Sequence, residues 1–154
     1  MASPSYTSAL IVGAGQGLSA SLTRLLRQEG LAVAIAARDT AKLAPLCTET
    51  GARAFGCDAQ DEVQVKRLFA DIDRAHGAPD VVIYNASARA RGPFAQLVPA
   101  EVQRTLQVTA FGAFLVAQQA AARMLPNAHG AILFTGASAS LKGCLLYTSP
   151  SPRD

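Results

Sequence analysis

The chain is short of aromatic residues (6%), of charge (16%) and of cysteine, with three in 154 residues. Cys47, Cys57 and Cys144 form no Cys-x-x-Cys spacing and stand in unrelated contexts, so neither a disulfide framework nor a zinc site is supported, and a reducing compartment is expected. No block of one charge exists either. The 14 basic residues barely exceed the 11 acidic ones and are scattered, which excludes nucleic acid as the main partner. The densest basic spot, Arg89 and Arg91, reads as a solvated loop. The N-terminal apolar run in "MASPSYTSALIVG" has no basic segment before it and is too short for a signal sequence or a membrane span, so no membrane is expected and the location is expected to be cytoplasmic.

What is present is a chain that is 50% hydrophobic, enough for one domain with a single buried core. Short apolar runs alternate with stretches of helical period. "ALIV" (9–12), "AVAIAA" (32–37), "ARAFG" (52–56), "VVIY" (81–84) and "AILF" (131–134) read as buried strands. The spacing predicts a first helix with Leu18, Leu22, Leu25 and Leu26 on one face, stopped by Gly30. A second, from about Thr40 to Thr50, is closed by Gly51, and a third, Asp61 to His76, has Val63, Leu68 and Ile72 inward and is closed by Gly77. A fourth, after Pro99, stacks Val102, Leu106, Ala110, Phe114, Ala117 and Ala121 at four-residue steps. Strand and helix in strict alternation predict an α/β fold, a doubly wound parallel sheet of Rossmann-like type joined by right-handed crossovers.

In such a sheet ligands collect at the carboxyl ends of the strands. The first strand is followed by "GAGQGLSAS", Gly13 to Ser21. Gly13, Gly15 and Gly17 let the backbone turn tightly and approach a pyrophosphate, with Gln16 and Leu18 in the same turn and a helix N-terminus to favour the negative charge. A side chain at Gly13 or Gly17 is expected to occupy that approach. The second strand ends "AARDT". An acid there suits a ribose 2′-hydroxyl and a base suits a 2′-phosphate, so Arg38, standing before Asp39, favours NADP(H) over NAD(H); in the alternative, Arg38 is a solvated charge and Asp39 a helix cap.

The glycine turn, "GCDAQDEVQV" after the third strand, "VVIYNASA" after the fourth and "GAILFTGASASLKG" after the fifth together resemble the short-chain dehydrogenase/reductase family over roughly residues 7–143. The resemblance implies that Val12, Gly13, Gly17 and Ser19 stand at the TGxxxGxG turn, Asp58 beside Ala59 at the adenine aspartate, and Asn85, Ala86 and Ser87 in the NNAG motif, with Tyr84 for its first Asn. It implies a homo-oligomeric NAD(P)-dependent oxidoreductase acting on a small carbonyl or alcohol. Family members also carry a catalytic Asn, Ser, Tyr and Lys, the Lys lowering the Tyr pKa so that the phenol exchanges a proton with the substrate oxygen. Here Thr109 holds the Asn position and Ala137 the Ser position, with Ser138 and Ser140 nearby as catalytic candidates, Ser138 first.

The Tyr and Lys positions fall at residues 150–154, where neither residue stands, and Tyr147 lies too early. "CLLYTSPSPRD", Cys144 to Asp154, matches a translation of the transposase adapter DNA used in sequencing libraries. Residues 1–143 are therefore expected to be a dinucleotide-binding domain incomplete on its C-terminal side, residues 144–154 an artefactual, disordered tail, and the chain itself inactive. A second reading, prompted by Thr109 and Ala137, is a dinucleotide-binding sensor or scaffold without redox turnover. His76 and His129 precede glycines at segment ends, and Cys57 reads as a small buried residue.

Overall fold

A computed structural model describes residues 5–137. Ser138, Ser140, the boundary expected at Gly143 and the tail expected at 144–154 lie outside the described residues. Strands β1 (Ser8–Val12), β2 (Ala32–Ala37), β3 (Arg53–Gly56), β4 (Val81–Tyr84) and β5 (Ala131–Phe134) form one parallel sheet in the order β3-β2-β1-β4-β5. β1 starts one residue earlier and β3 one residue later than their apolar runs. Both faces carry helices, so the doubly wound α/β arrangement is present. α1 (Leu18–Gln28) and α2 (Ala44–Thr50) cover Ile11, Val33 and Ile35, while α3 (Glu62–His76) and α5 (Gly112–Met124) cover Leu10, Val12 and Val82. All these strand residues are buried, the burial pattern of a parallel sheet covered on both sides.

The fourth helical segment is not one helix but three pieces: α4 (Pro99–Leu106), a π-helical turn (Gln107–Phe111) and α5. The whole stretch Pro99–Asn127 is the one continuous helical segment among the described residues long and apolar enough to cross a membrane, and its α5 part packs on α3, β4 and β5.

Helix ends follow local chemistry. Asp61 caps α3 by accepting from the Val63 and Gln64 amides at 2.9 and 3.1 Å, and the Gln64 side-chain amide returns to the same carboxylate at 2.9 Å. α2 and α3 end at Gly51 (φ 72°) and Gly77 (φ 80°), in the left-handed half of the map that glycine enters freely.

The faces predicted for three helices need correction. In α1 the buried residues are Ser19, Ala20 and Thr23, whereas Leu18 and Leu25 are exposed. Small side chains let α1 lie close to the sheet, and the Thr23 hydroxyl is satisfied by donating to the Ser19 carbonyl at 2.7 Å, which removes the penalty of burying it. In α3 Leu68 and Ile72 are buried as expected, together with Val65 and Phe69, but Val63 lies in the first turn beside the Asp61 cap and is 75% exposed. In the fourth segment Leu106 and Phe114 are exposed and Leu115, Val116, Ala120 and Met124 are buried. The π turn adds a residue to the circuit, so a four-residue step carried across it loses phase.

β1 and β4 are tied at their N-terminal ends by Asp80, whose carboxylate accepts from the Thr7 amide at 2.7 Å, the Thr7 hydroxyl at 2.8 Å and the Ser8 amide at 3.1 Å. Burial alone would raise its pKa, but these bonds and the neighbouring His129 hold it below the usual carboxylate value. A depressed folded-state pKa stabilises the fold above the unfolded value near pH ~4 and loses that contribution as pH falls through the folded one. Asp80→Asn is therefore expected to cost about 1–3 kcal/mol at pH 7 and to flatten the loss of stability below pH ~4. Urea unfolding at a series of pH values reads both effects; an unchanged acid limb would contradict the assignment.

Candidate functional site

The carboxyl ends of β1, β2 and β4 meet where the glycine turn leaves β1. Gly13 (φ 85°) and Ala14 both donate their amides to the Ala36 carbonyl at 2.9 Å, and the Asn85 amide donates to the Val12 carbonyl at 2.7 Å. The turn is thus stitched to its two neighbouring strands. The Asn85 side-chain amide donates to the Ser19 hydroxyl at 2.7 Å and, more weakly, to the Gly13 carbonyl at 3.3 Å, while Ser19 itself donates to the Gly13 carbonyl at 3.1 Å. Ser19 is almost fully buried. The residue standing where the family motif has glycine therefore supplies a hydroxyl that joins the turn to Asn85.

These ends open into a cleft of about 620 Å³, lined by residues of the glycine turn, the end of β2 and the segment after it, the loop after β3, the loop after β4, α4 and the π turn. Of the residues predicted for the site, Gly13, Gly15, Gln16, Arg38, Asp58, Ala59, Asn85, Ala86 and Ser87 are brought together on its wall. Gly17, Leu18 and Thr109 are not on it, and Leu18 is exposed at the start of α1. Thr109 instead accepts from the Ala88 amide at 3.3 Å and donates to the Ala88 carbonyl at 3.4 Å, beside the cleft. Ala14, Lys42, Leu43, Ala88, Arg104 and Val108 also line it and were not anticipated. For Arg104 and Val108 the available signal was their four-residue spacing on one helix face; nothing in the sequence marks that face as the one toward the cleft.

Three glycines of the turn differ in what a side chain would meet. A Cβ at Gly13 would strike the Ala86 backbone, whereas at Gly15 and Gly17 it would meet nothing within 4 Å. The expectation for Gly13 is thus corrected: its first conflict is with the β4 loop and not with a ligand. Gly15, on the cleft wall, is the position where a side chain would project into open space.

At the end of β2, Asp39 accepts from the Ala41 amide at 3.1 Å and pairs with Lys42 at 3.3 Å. Arg38, alongside, makes no ion pair among the described residues, and the same holds for Arg104. After β3, the Asp58 carboxylate accepts from the Gln60 amide at 3.3 Å and its side chain at 3.1 Å, and the Asp58 amide donates to Gln64 at 2.9 Å. Burial, reinforced by the charges of Asp58 and Asp61, pushes the Cys57 thiol up to about 11. It is therefore an inert thiol at neutral pH. No group of His, Cys, Asp and Glu suited to a metal ion occurs among the described residues.

The model of the family described as short chain dehydrogenase matches residues 7–149. The chain belongs to the short-chain dehydrogenase family. Its members include oxidoreductases similar to this chain. A mitochondrial borneol dehydrogenase of Lavandula x intermedia is 28% identical over 134 residues, covering 86% of this chain and 52% of that protein. The 3-oxoacyl-[acyl-carrier-protein] reductase MabA of Mycobacterium tuberculosis is 27% identical over 129 residues, covering 84% and 50%. An actinorhodin polyketide ketoreductase solved with NADPH superposes with a TM-score of 0.86 at 25% identity, covering 95% of this chain and 59% of that one. The chain spans about half the length of the curated relatives it matches.

Proposed function

We propose that the cleft binds a nicotinamide dinucleotide, NADP(H) in preference to NAD(H), and that the chain is the dinucleotide-binding part of an oxidoreductase for a small carbonyl or alcohol. The observation that carries this reading is the open position at Gly15: a cradle that a side chain would fill, on a glycine turn at the strand ends, in a cleft that also holds Arg38. In this reading Gly13, Gly15, Gln16, Gly17 and Leu18 form the turn against the pyrophosphate, Gly17 and Leu18 acting through the start of α1, where helix amides favour negative charge. Asp58 and Ala59 take the adenine end, Arg38 the ribose phosphate, and Asn85, Ala86 and Ser87 the middle of the cleft. The bound dinucleotide supplies hydride transfer.

Among the described residues, no histidine or tyrosine lines the cleft wall to carry a proton. The Cys57 thiol stays protonated, and Asp39 and Asp58 are engaged by neighbouring groups. Thr109, tied to the Ala88 backbone beside the cleft, is the candidate at the position that the resemblance gives to the catalytic Asn, and Ser138 is the candidate hydroxyl of the reaction. The second reading, binding without turnover, draws its support from the same inventory. The exposed Phe111 and Phe114, stacked at 6.3 Å, suit a subunit contact of the longer parent protein, and the free Cys47 and Cys57 suit a cytoplasmic setting.

A titration of the chain with NADPH, followed by nicotinamide fluorescence, tests the reading. Wild type is expected to bind and, with an aldehyde and ketone panel, to leave the NADPH absorbance unchanged. Gly15→Val, whose Cβ meets no protein atom within 4 Å, is expected to weaken binding by about tenfold or more while circular dichroism stays the same. Absence of NADPH binding by wild type, or full binding by Gly15→Val, would overturn the assignment.

A further inference from the structure

The π-helical turn fixes which side of α4 faces the cleft. Inserting one residue into an α-helix turns the part before the insertion by about 100° relative to the part after it. α5 is anchored by the buried Leu115, Val116, Ala120 and Met124, and by Arg123, which binds Asp73 of α3 at 2.8–3.0 Å and lies over the Phe69 ring. With α5 held, the turn at Gln107–Phe111 decides that Arg104 and Val108 line the cleft while Leu106 is exposed.

Tyr84 grips that turn. It is the last residue of β4, buried to 3% exposure, and its hydroxyl donates to the Val108 carbonyl inside the π turn. Its own carbonyl accepts from the Thr135 amide at 3.0 Å, which fixes the strand end from which the phenol reaches out. Gly112, where α5 begins, leaves room for the hydroxyl: a Cβ there would strike the Tyr84 oxygen and stand 2.8 Å from the Ala59 carbonyl. Burial, then the charge of Asp58, pushes the phenol up to about 12. It remains a protonated donor across the neutral range and takes no part in proton exchange.

We propose that Tyr84 is a positioning residue whose hydroxyl holds the π turn in register and so keeps Arg104, a cation with no ion pair among the described residues, on the wall of the cleft for the anionic dinucleotide. The inference rests on the dinucleotide reading of the cleft. Tyr84→Phe tests it on the full chain, because it keeps the ring and removes only the hydroxyl. NADPH binding is measured for Tyr84→Phe, Arg104→Ala and the double variant, and amide hydrogen exchange over residues 107–112 is measured without ligand. The expected result is a loss of about tenfold for each single variant, on the scale of one hydrogen bond or one charge contact, and no further loss in the double variant. Exchange over 107–112 should accelerate in Tyr84→Phe while that of β1 and β2 holds. Additive losses overturn the proposal, since they would show that Tyr84 acts on binding by a route other than Arg104. Unchanged exchange over 107–112 overturns it as well. If wild type takes up no dinucleotide the functional reading fails, and exchange then decides the Tyr84 grip by itself.

Discussion

Gly13→Ala is expected to lower the unfolding free energy by about 2–6 kcal/mol, the largest effect of any single methyl addition in the glycine turn. Two costs combine. At φ 85° the backbone is in a region where an L side chain is strained by about 1–3 kcal/mol. The new methyl would also strike the Ala86 amide and stand 2.7 Å from the Asn85 carbonyl carbon, an overpacking conflict of about 1–3 kcal/mol more. Neither neighbour is a flexible side-chain tip. Both belong to the backbone after β4, which is held in place by the Asn85 amide on Val12 and the Asn85 side chain on Ser19. Gly15→Ala is the matched control, since its Cβ meets nothing and its backbone needs no left-handed conformation. Urea midpoints of the two variants make the comparison; equal stability for Gly13→Ala and Gly15→Ala would refute the close approach of the turn to the β4 loop. Because the expected damage is to the fold, lost dinucleotide binding by a Gly13 variant says nothing about contact with a ligand, and Gly15 is the position that reports on the cleft.

The parts of the fold readable from sequence are those set by local chemistry. Continuous apolar runs marked β1, β2 and β4, since a parallel strand buried on both faces has no alternation to hide it, whereas β3 and β5, expected to be buried, stand at the two ends of the strand order and leave Arg53, Gly56, Leu133 and Phe134 exposed; Gly51 and Gly77 marked helix ends because their positive φ is a local requirement. The helix faces were less legible. Leu18, Leu22, Leu25 and Leu26 have the right period, yet the buried Thr23 is paired with the Ser19 carbonyl, a bond the sequence does not announce. The largest failure has one cause. The π turn at Gln107–Phe111 depends on a phenol arriving from β4, 24 residues earlier in the chain, and on room left at Gly112. Tertiary contacts of that kind leave no local period, so the helix face that carries Arg104 of α4 and Val108 of the π turn could not be assigned in advance. The strand-end residues were identified because topology alone carries them to one place.

Arg38→Ala is expected to weaken NADPH binding by about 10- to 100-fold, equivalent to about 1.5–3 kcal/mol for hydrogen bonds to a charged group, while changing NADH binding by less than about threefold. The geometry at the end of β2 separates the two neighbours that compete to read the ribose. Asp39, the acid that would suit a free 2′-hydroxyl, accepts from the Ala41 amide and pairs with Lys42, so it acts as a local turn residue. Arg38 is left without an ion pair among the described residues and lines the same cleft. Its guanidinium can offer a two-pronged set of donors to a phosphate, which Lys cannot, so Arg38→Lys should recover only part of the NADPH affinity. Because the side chain is exposed, the preference should also shrink as ionic strength rises and the Debye length falls from about 10 Å at 0.1 M to about 3 Å at 1 M. Parallel titrations of wild type, Arg38→Ala and Arg38→Lys with both cofactors at low and high salt make the test. An equal loss for NADPH and NADH, or no loss for NADPH, would remove Arg38 from the phosphate and leave the choice of cofactor to groups deeper in the cleft.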